Sequence, residues 1–155
     1  MNIKENIRHL LKKIPDNVKL VAVSKTKSIE EILEAHMAGQ RIFGENKVQE
    51  MKGKYEILPK DIEWHMIGHV QSNKVKYMAP FVSLIHGVDS LKLLKEINKQ
   101  AQKNNRVLDC LFQIHIAKES TKFGMSQEEC IENLTSAQSM ENVRIRGLMG
   151  MATFT

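Results

Sequence analysis

The chain has 155 residues, of which 42% are hydrophobic, 26% are charged and 5% are aromatic, and its formal net charge is +5. This length and composition indicate one globular domain large enough to form a hydrophobic core, and no apolar run approaches the roughly 20 residues that a membrane span needs. Cys110 and Cys130 are isolated, which excludes a disulfide framework or a cysteine-rich metal site and is typical of the reducing cytoplasm.

Patterns of apolar residues predict helices and strands in alternation along the chain. The apolar run Leu20–Val23 has the length and β-branching of a buried parallel strand, and Ser28 with Glu31 predicts a capping box at the next helix. The other predicted strands are Arg41–Gly44, Ile62–Ile67, Phe81–Val88, Val107–Ile116 and Val143–Leu148. The predicted helices are Asn2–Ile14, Ile29–Gly39, Val48–Leu58, Ser72–Met78, Ser90–Asn104 and Ser126–Met140.

This alternation predicts an α/β fold with a parallel sheet and crossover helices. Both an open doubly wound sheet and a (β/α) barrel fit it. The glycine-rich turn that usually follows the first strand of the open sheet is absent, since the segment 24–27 reads Ser-Lys-Thr-Lys. We therefore expect a single domain over residues 1–155 with a TIM-type barrel that is incomplete, because about six strands are predicted where a closed barrel has eight.

Lys25 directly follows the first predicted strand. The carboxyl ends of strands in β/α proteins are where side chains meet ligands, so this lysine is expected to point its amine into a cleft. A lysine that is partly desolvated and lies near another cation becomes nucleophilic, as Schiff-base chemistry requires. The alternative is a solvated or ion-paired lysine at a strand end.

Other polar and small residues follow the later strands and are expected to meet on the same rim: the segment 44–46, His65, Gly68, His69, Asp89, His115 and the segment 147–150. Several have a purely structural alternative. Asn46 could cap the next helix, His115 could be a hydrogen-bonded core histidine, and Met149 and Met151 could simply pack. His65 and His69 have the spacing of a helical zinc pair but straddle a strand end, so no metal site is expected.

The positive charge would suit an anionic partner, either a nucleic acid or a phosphorylated small molecule. The lysines are spread along the chain, with few aromatic residues between them to stack bases, which argues against nucleic acid. A basic RNA-binding module nevertheless remains an alternative on charge alone.

Five sequence blocks resemble the pyridoxal phosphate homeostasis family, in the same order as in that family. They read VAVSKTK at 21–27, FGENKVQE at 43–50, WHMIGHVQSNK at 64–74, IHGVDS at 85–90 and RIRGLMGMA at 144–152. The resemblance implies a barrel like the N-terminal domain of alanine racemase, with pyridoxal 5′-phosphate (PLP) held on Lys25 as an internal aldimine. It places Asn46 and His65 beside the cofactor ring and Met149 near it.

The family acts in vitamin B6 and amino-acid balance without a well-established turnover, so a cytoplasmic PLP-binding protein is expected rather than an enzyme. Racemase chemistry needs a second base, which racemases supply with help from a second domain that is not expected here. The alternative is a racemase-like or other Schiff-base enzyme that uses Lys25 as its nucleophile.

The sequence departs from the family pattern in three places. His115 stands where members usually have Asn, and the loop 120–124 replaces a Ser-Lys-Ser-Gly-like segment. The family continues for two more strand–helix units, which carry the phosphate donors and an arginine that faces the pyridine nitrogen. We therefore expect a shortened chain with weakened or lost PLP binding, and unpaired strand edges that could pair in a homodimer.

Overall fold

The fold is seen in a computed structural model that describes residues 2–118 and 123–153. Its strands are β1 (Ala22–Val23), β2 (Ile42–Glu45), β3 (Glu63–Met66), β4 (Leu84–Val88), β5 (Leu108–Ile114) and β6 (Val143–Gly150). Its helices are α1 (Ile3–Lys13), α2 (Ile29–Met37), α3 (Val48–Ile57), α4 (Val75–Met78), α5 (Leu91–Lys103) and α6 (Gln127–Ala137), with a 3₁₀ turn at Ser72–Lys74. No helix in the described ranges is long and apolar enough to cross a membrane.

The predicted caps define where the helices begin. Ser28 and Glu31 form a reciprocal capping box at α2, and Ser126 and Glu129 form another at α6. The Asn2 side chain accepts the backbone N–H of Glu5 at α1. Because these side chains satisfy amides that have no partner inside the helix, the local sequence fixes the helix starts.

The sheet is wound in one direction only. All six strands pair in parallel in the order β1-β2-β3-β4-β5-β6, with no reversal of strand order. A doubly wound sheet would reverse its order at a switch point, whereas a β/α barrel adds each strand beside the last. The prediction of an incomplete barrel is therefore confirmed: the sheet is open, and β1 and β6 are its two edges.

Two of the strands differ from the sequence prediction in burial or in the residue at which they begin. β1 is short and Val23 is 52% exposed, so this strand is not the buried one predicted, because it forms an open edge of the sheet. β4 begins at Leu84 because Phe81 and Val82 donate their backbone N–H groups to Met78 in a turn. The predicted loop at 118–124 lies partly outside the described residues, as residues 119–122 are not described.

The hydrophobic core lies between one face of the sheet and the helices. Ala22, Phe43 and Trp64 are ladder partners on that face, and Phe43 lines a cavity together with Ile7 of α1 and Ile32 of α2. Side chains alternate between the two faces of a strand, so the ladder partners Val23, Gly44 and His65 belong to the opposite face. That opposite face carries the candidate site.

Candidate functional site

Lys25 lies just beyond β1, at the carboxyl end of the sheet. Ser24 extends the strand by donating its N–H to the Gly44 carbonyl at 3.0 Å, and Thr26 then turns the chain with a positive φ of 64°. The Lys25 side chain is exposed, and its amine has no hydrogen-bond or ion-pair partner within residues 2–118 and 123–153. The expected desolvation is not observed because β1 is an edge strand. The amine is therefore open to an incoming aldehyde.

Asn46 directly follows β2 and packs against the end of β3. A Cβ at Gly68 would lie 2.8 Å from the Asn46 carbonyl oxygen and 3.1 Å from its side-chain oxygen, so only glycine permits this approach. The N-cap residue of α3 is Lys47, and no side chain caps that helix. The alternative role of Asn46 as a helix cap is thus wrong, and the residue instead lines a cavity of about 380 Å³ together with Ile67, Gly68 and Gln113.

His65 lies within β3, on the face opposite the helices, and forms a hydrogen-bonded pair with His86. It is 7% exposed, and its Nδ1 lies 2.9 Å from Nε2 of His86. Burial lowers the pKa of His65 to about 4, with smaller contributions from the charges of His86 and Lys19. Burial also lowers the pKa of His86. Both rings are therefore neutral at neutral pH, so that one donates and the other accepts the shared hydrogen bond.

The other two histidines near the rim behave differently. His69 lies 3.3 Å from the Asp89 carboxylate and stacks on Phe123 with ring centroids 3.9 Å apart. His115 is exposed, because β5 ends at Ile114, so its alternative as a core histidine is wrong. Among the described residues, no group of three or more His, Cys, Asp or Glu side chains could hold a metal ion.

Met149 comes from β6, at the edge of the sheet opposite β1. It is half-buried, and its ladder partner is Gln113, which lines the same cavity as Asn46. The strand order thus brings Lys25, Asn46 and His65 together on neighbouring strands. Met149 lies on β6, four strands away from the β2 strand that Asn46 follows.

A buried charged cluster beside Lys25 was not predicted from the sequence. It consists of Ser24, Glu45, Glu50 and Lys54, of which only Glu50 is more than slightly exposed. The i,i+4 spacing of Glu50 and Lys54 could have indicated an ion pair on α3. Nothing in the local sequence shows that Glu45, in the apolar strand β2, points towards that helix.

The parallel strands follow one another in chain order, which defines a domain of the β/α-barrel type. An accessible lysine lies at the carboxyl end of its first strand. The sequence matches the family described as "Alanine racemase, N-terminal domain" over residues 1–154. A pyridoxal phosphate homeostasis protein from Aquifex aeolicus is 44% identical over 132 residues, which are 84% of this chain and 58% of that protein. One from Vibrio alginolyticus is 36% identical over 165 residues, covering 97% of this chain and 71% of that protein.

Solved structures agree with the sequence comparison. PipY of Synechococcus elongatus, in a structure with PLP bound, superposes with a TM-score of 0.90 at 34% identity, over 99% of this chain and 72% of that one. Alanine racemase from Bartonella henselae superposes with a TM-score of 0.74 at 16% identity, covering 96% of this chain and 42% of that one, a likeness of fold alone. The chain belongs to the alanine racemase N-terminal domain family, among its pyridoxal phosphate homeostasis proteins, which confirms the predicted resemblance. It spans 58% and 71% of the lengths of the two curated relatives.

Proposed function

We propose that this chain binds PLP through Lys25 as a protein of vitamin B6 homeostasis. The observation that carries the proposal is the Lys25 amine at the end of β1, which is accessible and has no hydrogen-bond or ion-pair partner among the described residues. The neighbouring strand β2 ends just before Asn46. The PLP-bound structure of PipY, a protein of the same fold and 34% identity, supports the choice of ligand.

The residues present fit the aldehyde and ring of PLP. When bound, the cofactor supplies an aldehyde whose carbon forms a C=N bond with Lys25 Nζ while its oxygen leaves as water. Gly68 leaves room for Asn46 to lie against it, and both residues line the cavity of about 380 Å³. Neutral His65 and His86 offer hydrogen bonding without adding positive charge to the face that carries the candidate site. Met149, at the opposite edge, would supply apolar contact.

We expect binding without turnover. Racemisation needs two bases that face opposite sides of the substrate, and the candidate site groups in the described ranges lie on one face of an open sheet. The free thiols Cys110 and Cys130 support a cytoplasmic location.

An absorbance titration with PLP tests the proposal. The wild-type chain should develop a Schiff-base band at the edge of the visible region, and borohydride should remove it. Lys25→Ala should abolish the band, whereas Lys27→Ala, which removes a nearby exposed lysine, should retain it. An equal band in Lys25→Ala would refute the assignment.

Two further measurements separate the alternatives. Racemisation of alanine by the PLP-loaded chain would favour a racemase-like enzyme that uses Lys25. Steeply salt-dependent RNA binding without any PLP band would favour an RNA-binding module instead.

A further inference from the structure

We propose that Lys54, Glu50 and Glu45 form a positioning cluster that fixes the backbone on both sides of Lys25 and so directs its amine towards the cofactor. This inference rests on the proposed function, because positioning matters only if Lys25 reacts. In the part of the chain that the structure describes, none of the three forms a hydrogen bond or an ion pair with the Lys25 side chain, so they act through the backbone.

Lys54 is the centre of the cluster. Its Nζ donates to the Ser24 carbonyl at 2.7 Å, to Glu45 Oε2 at 2.9 Å and to Glu50 Oε2 at 2.6 Å. The Lys54 side chain is 8% exposed and that of Glu45 is 0% exposed. All three protons of the ammonium group are therefore used, in a site from which water is largely excluded.

The contacts reach the residues that flank Lys25 but leave Lys25 itself free. On the preceding side, Lys54 binds the Ser24 carbonyl, and the Ser24 hydroxyl donates to Glu45 Oε2. On the following side, Glu50 Oε2 accepts the Thr26 N–H at 2.7 Å. One cluster thus holds the peptide groups before and after the lysine.

The turn at Thr26 explains why such a hold is needed. Thr26 is a β-branched residue with a φ of 64°, a left-handed conformation that is unfavourable for such residues by about 1–3 kcal/mol. The hydrogen bond from Thr26 N–H to Glu50 stabilises that conformation. Without it, the segment after Ser24 would relax towards ordinary extended or helical backbone and the Cα–Cβ bond of Lys25 would change direction.

Burying charged side chains costs desolvation free energy, so this cluster stabilises the core less well than apolar residues would. That favours a positional role. Replacing a buried ion pair with well-packed apolar residues is often neutral or stabilising. Glu45 Oε1 is buried and has no hydrogen-bond partner among the described residues, and burial raises the pKa of Glu45. A group that is this poorly solvated is better explained by its contacts to the Lys25 segment than by its contribution to packing.

The test compares cluster variants with matched variants on the same helix. Lys54→Met and Glu50→Ala break the cluster, while Lys52→Met and Glu56→Ala break an exposed ion pair on α3 whose partners lie 3.7 Å apart. Displacing a reacting group by about 1 Å can change rates by up to about a hundredfold. We therefore expect about tenfold or greater loss in the rate of PLP adduct formation at Lys25 for the cluster variants, and less than about twofold for the controls.

Two readouts distinguish positioning from general destabilisation. Amide hydrogen exchange at Thr26, measured without PLP, should accelerate in Glu50→Ala, while exchange in β3 should stay unchanged. Glu50→Gln, which keeps an oxygen acceptor for the Thr26 N–H, should restore most of the adduct rate. If Lys54→Met does not fold, the Glu50 series provides the same comparison.

The outcomes separate this inference from the proposed function. If wild type forms the adduct and the Glu50 and Lys54 variants match it, the positioning role is wrong and PLP binding stands. If wild type forms no adduct at Lys25, PLP binding is wrong. The role in directing Lys25 then falls with PLP binding, and Thr26 exchange tests only the hold on the backbone: faster exchange in Glu50→Ala supports that hold and unchanged exchange overturns it.

Discussion

The buried pair of His65 and His86 makes the fold sensitive to mild acid. The pKa of His65 falls to about 4 in the folded chain from an ordinary value of 6.5. Since the unfolded chain takes up the proton first, the stability contributed by neutral His65 is complete above pH 6.5 and is lost as the pH falls towards 4. Integrating between these values gives a loss of about 2 kcal/mol in the free energy of unfolding between pH 8 and pH 5.

Urea unfolding at pH 8 and pH 5 measures this loss, and His65→Gln isolates it. The variant removes the titrating ring, so its stability should fall by about 2 kcal/mol less than that of wild type over the same interval. The raised pKa of Glu45 acts in the opposite direction, since the folded state then takes up that proton first and gains stability as the pH falls. Glu45 is present in both proteins, so the difference between them is not affected.

His9→Gln is the matched control, because His9 is exposed on α1. It should show the same pH dependence as wild type. Equal losses in wild type and His65→Gln, or an NMR titration of the His65 ring near pH 6.5, would refute the buried neutral pair.

Three other predictions follow from the packing. Gly68→Ala should lower the free energy of unfolding by about 1–3 kcal/mol in urea unfolding, because its Cβ would lie 2.8 Å from the Asn46 carbonyl oxygen. The control Gly53→Ala, whose Cβ would have nothing within 4 Å, should raise the free energy of unfolding by up to about 1 kcal/mol. Equal effects of the two variants would contradict the close packing of the two strand ends. A thiol reagent should modify Cys130 first and Cys110 only on unfolding, because burial raises the pKa of Cys110 to about 12, and simultaneous modification of both in the native chain would contradict this. β1 and β6 are the edges of the sheet, and Val23 and Leu148 on them are 52% and 59% exposed. We therefore expect light scattering to show a homodimer, and Val23→Lys to weaken it. A monomer at all concentrations would contradict this prediction.

Local sequence patterns predict the element types well because each depends on near neighbours. The capping boxes at Ser28 and Ser126 involve residues three apart, and the apolar runs of β3 and β5 have the composition of central strands. Burial of β1 is not local, since it depends on which strand lies beside it. For that reason Leu20–Val23 reads as a buried strand but forms an exposed edge.

The same distinction between local and long-range contacts decides which site residues could be predicted from the sequence. Lys25, Asn46 and His65 could be selected because each stands at or near the end of an apolar run, and parallel strands bring such ends together. His86 and Lys54 could not, because their roles depend on contacts across 21 and 30 residues of sequence, His86 to His65 and Lys54 to Ser24. Only the register of β3 with β4 and the packing of α3 beside Ser24 reveal them.

The most direct test of the central claim locates the amine that captures PLP. The chain is incubated with PLP, reduced with borohydride and digested, and the modified peptide is identified by mass spectrometry. We predict modification at Lys25 at sub-stoichiometric PLP, in preference to the exposed Lys27 and the partly exposed Lys52. Modification spread evenly over the exposed lysines, with Lys25 no more reactive than Lys27, would contradict it.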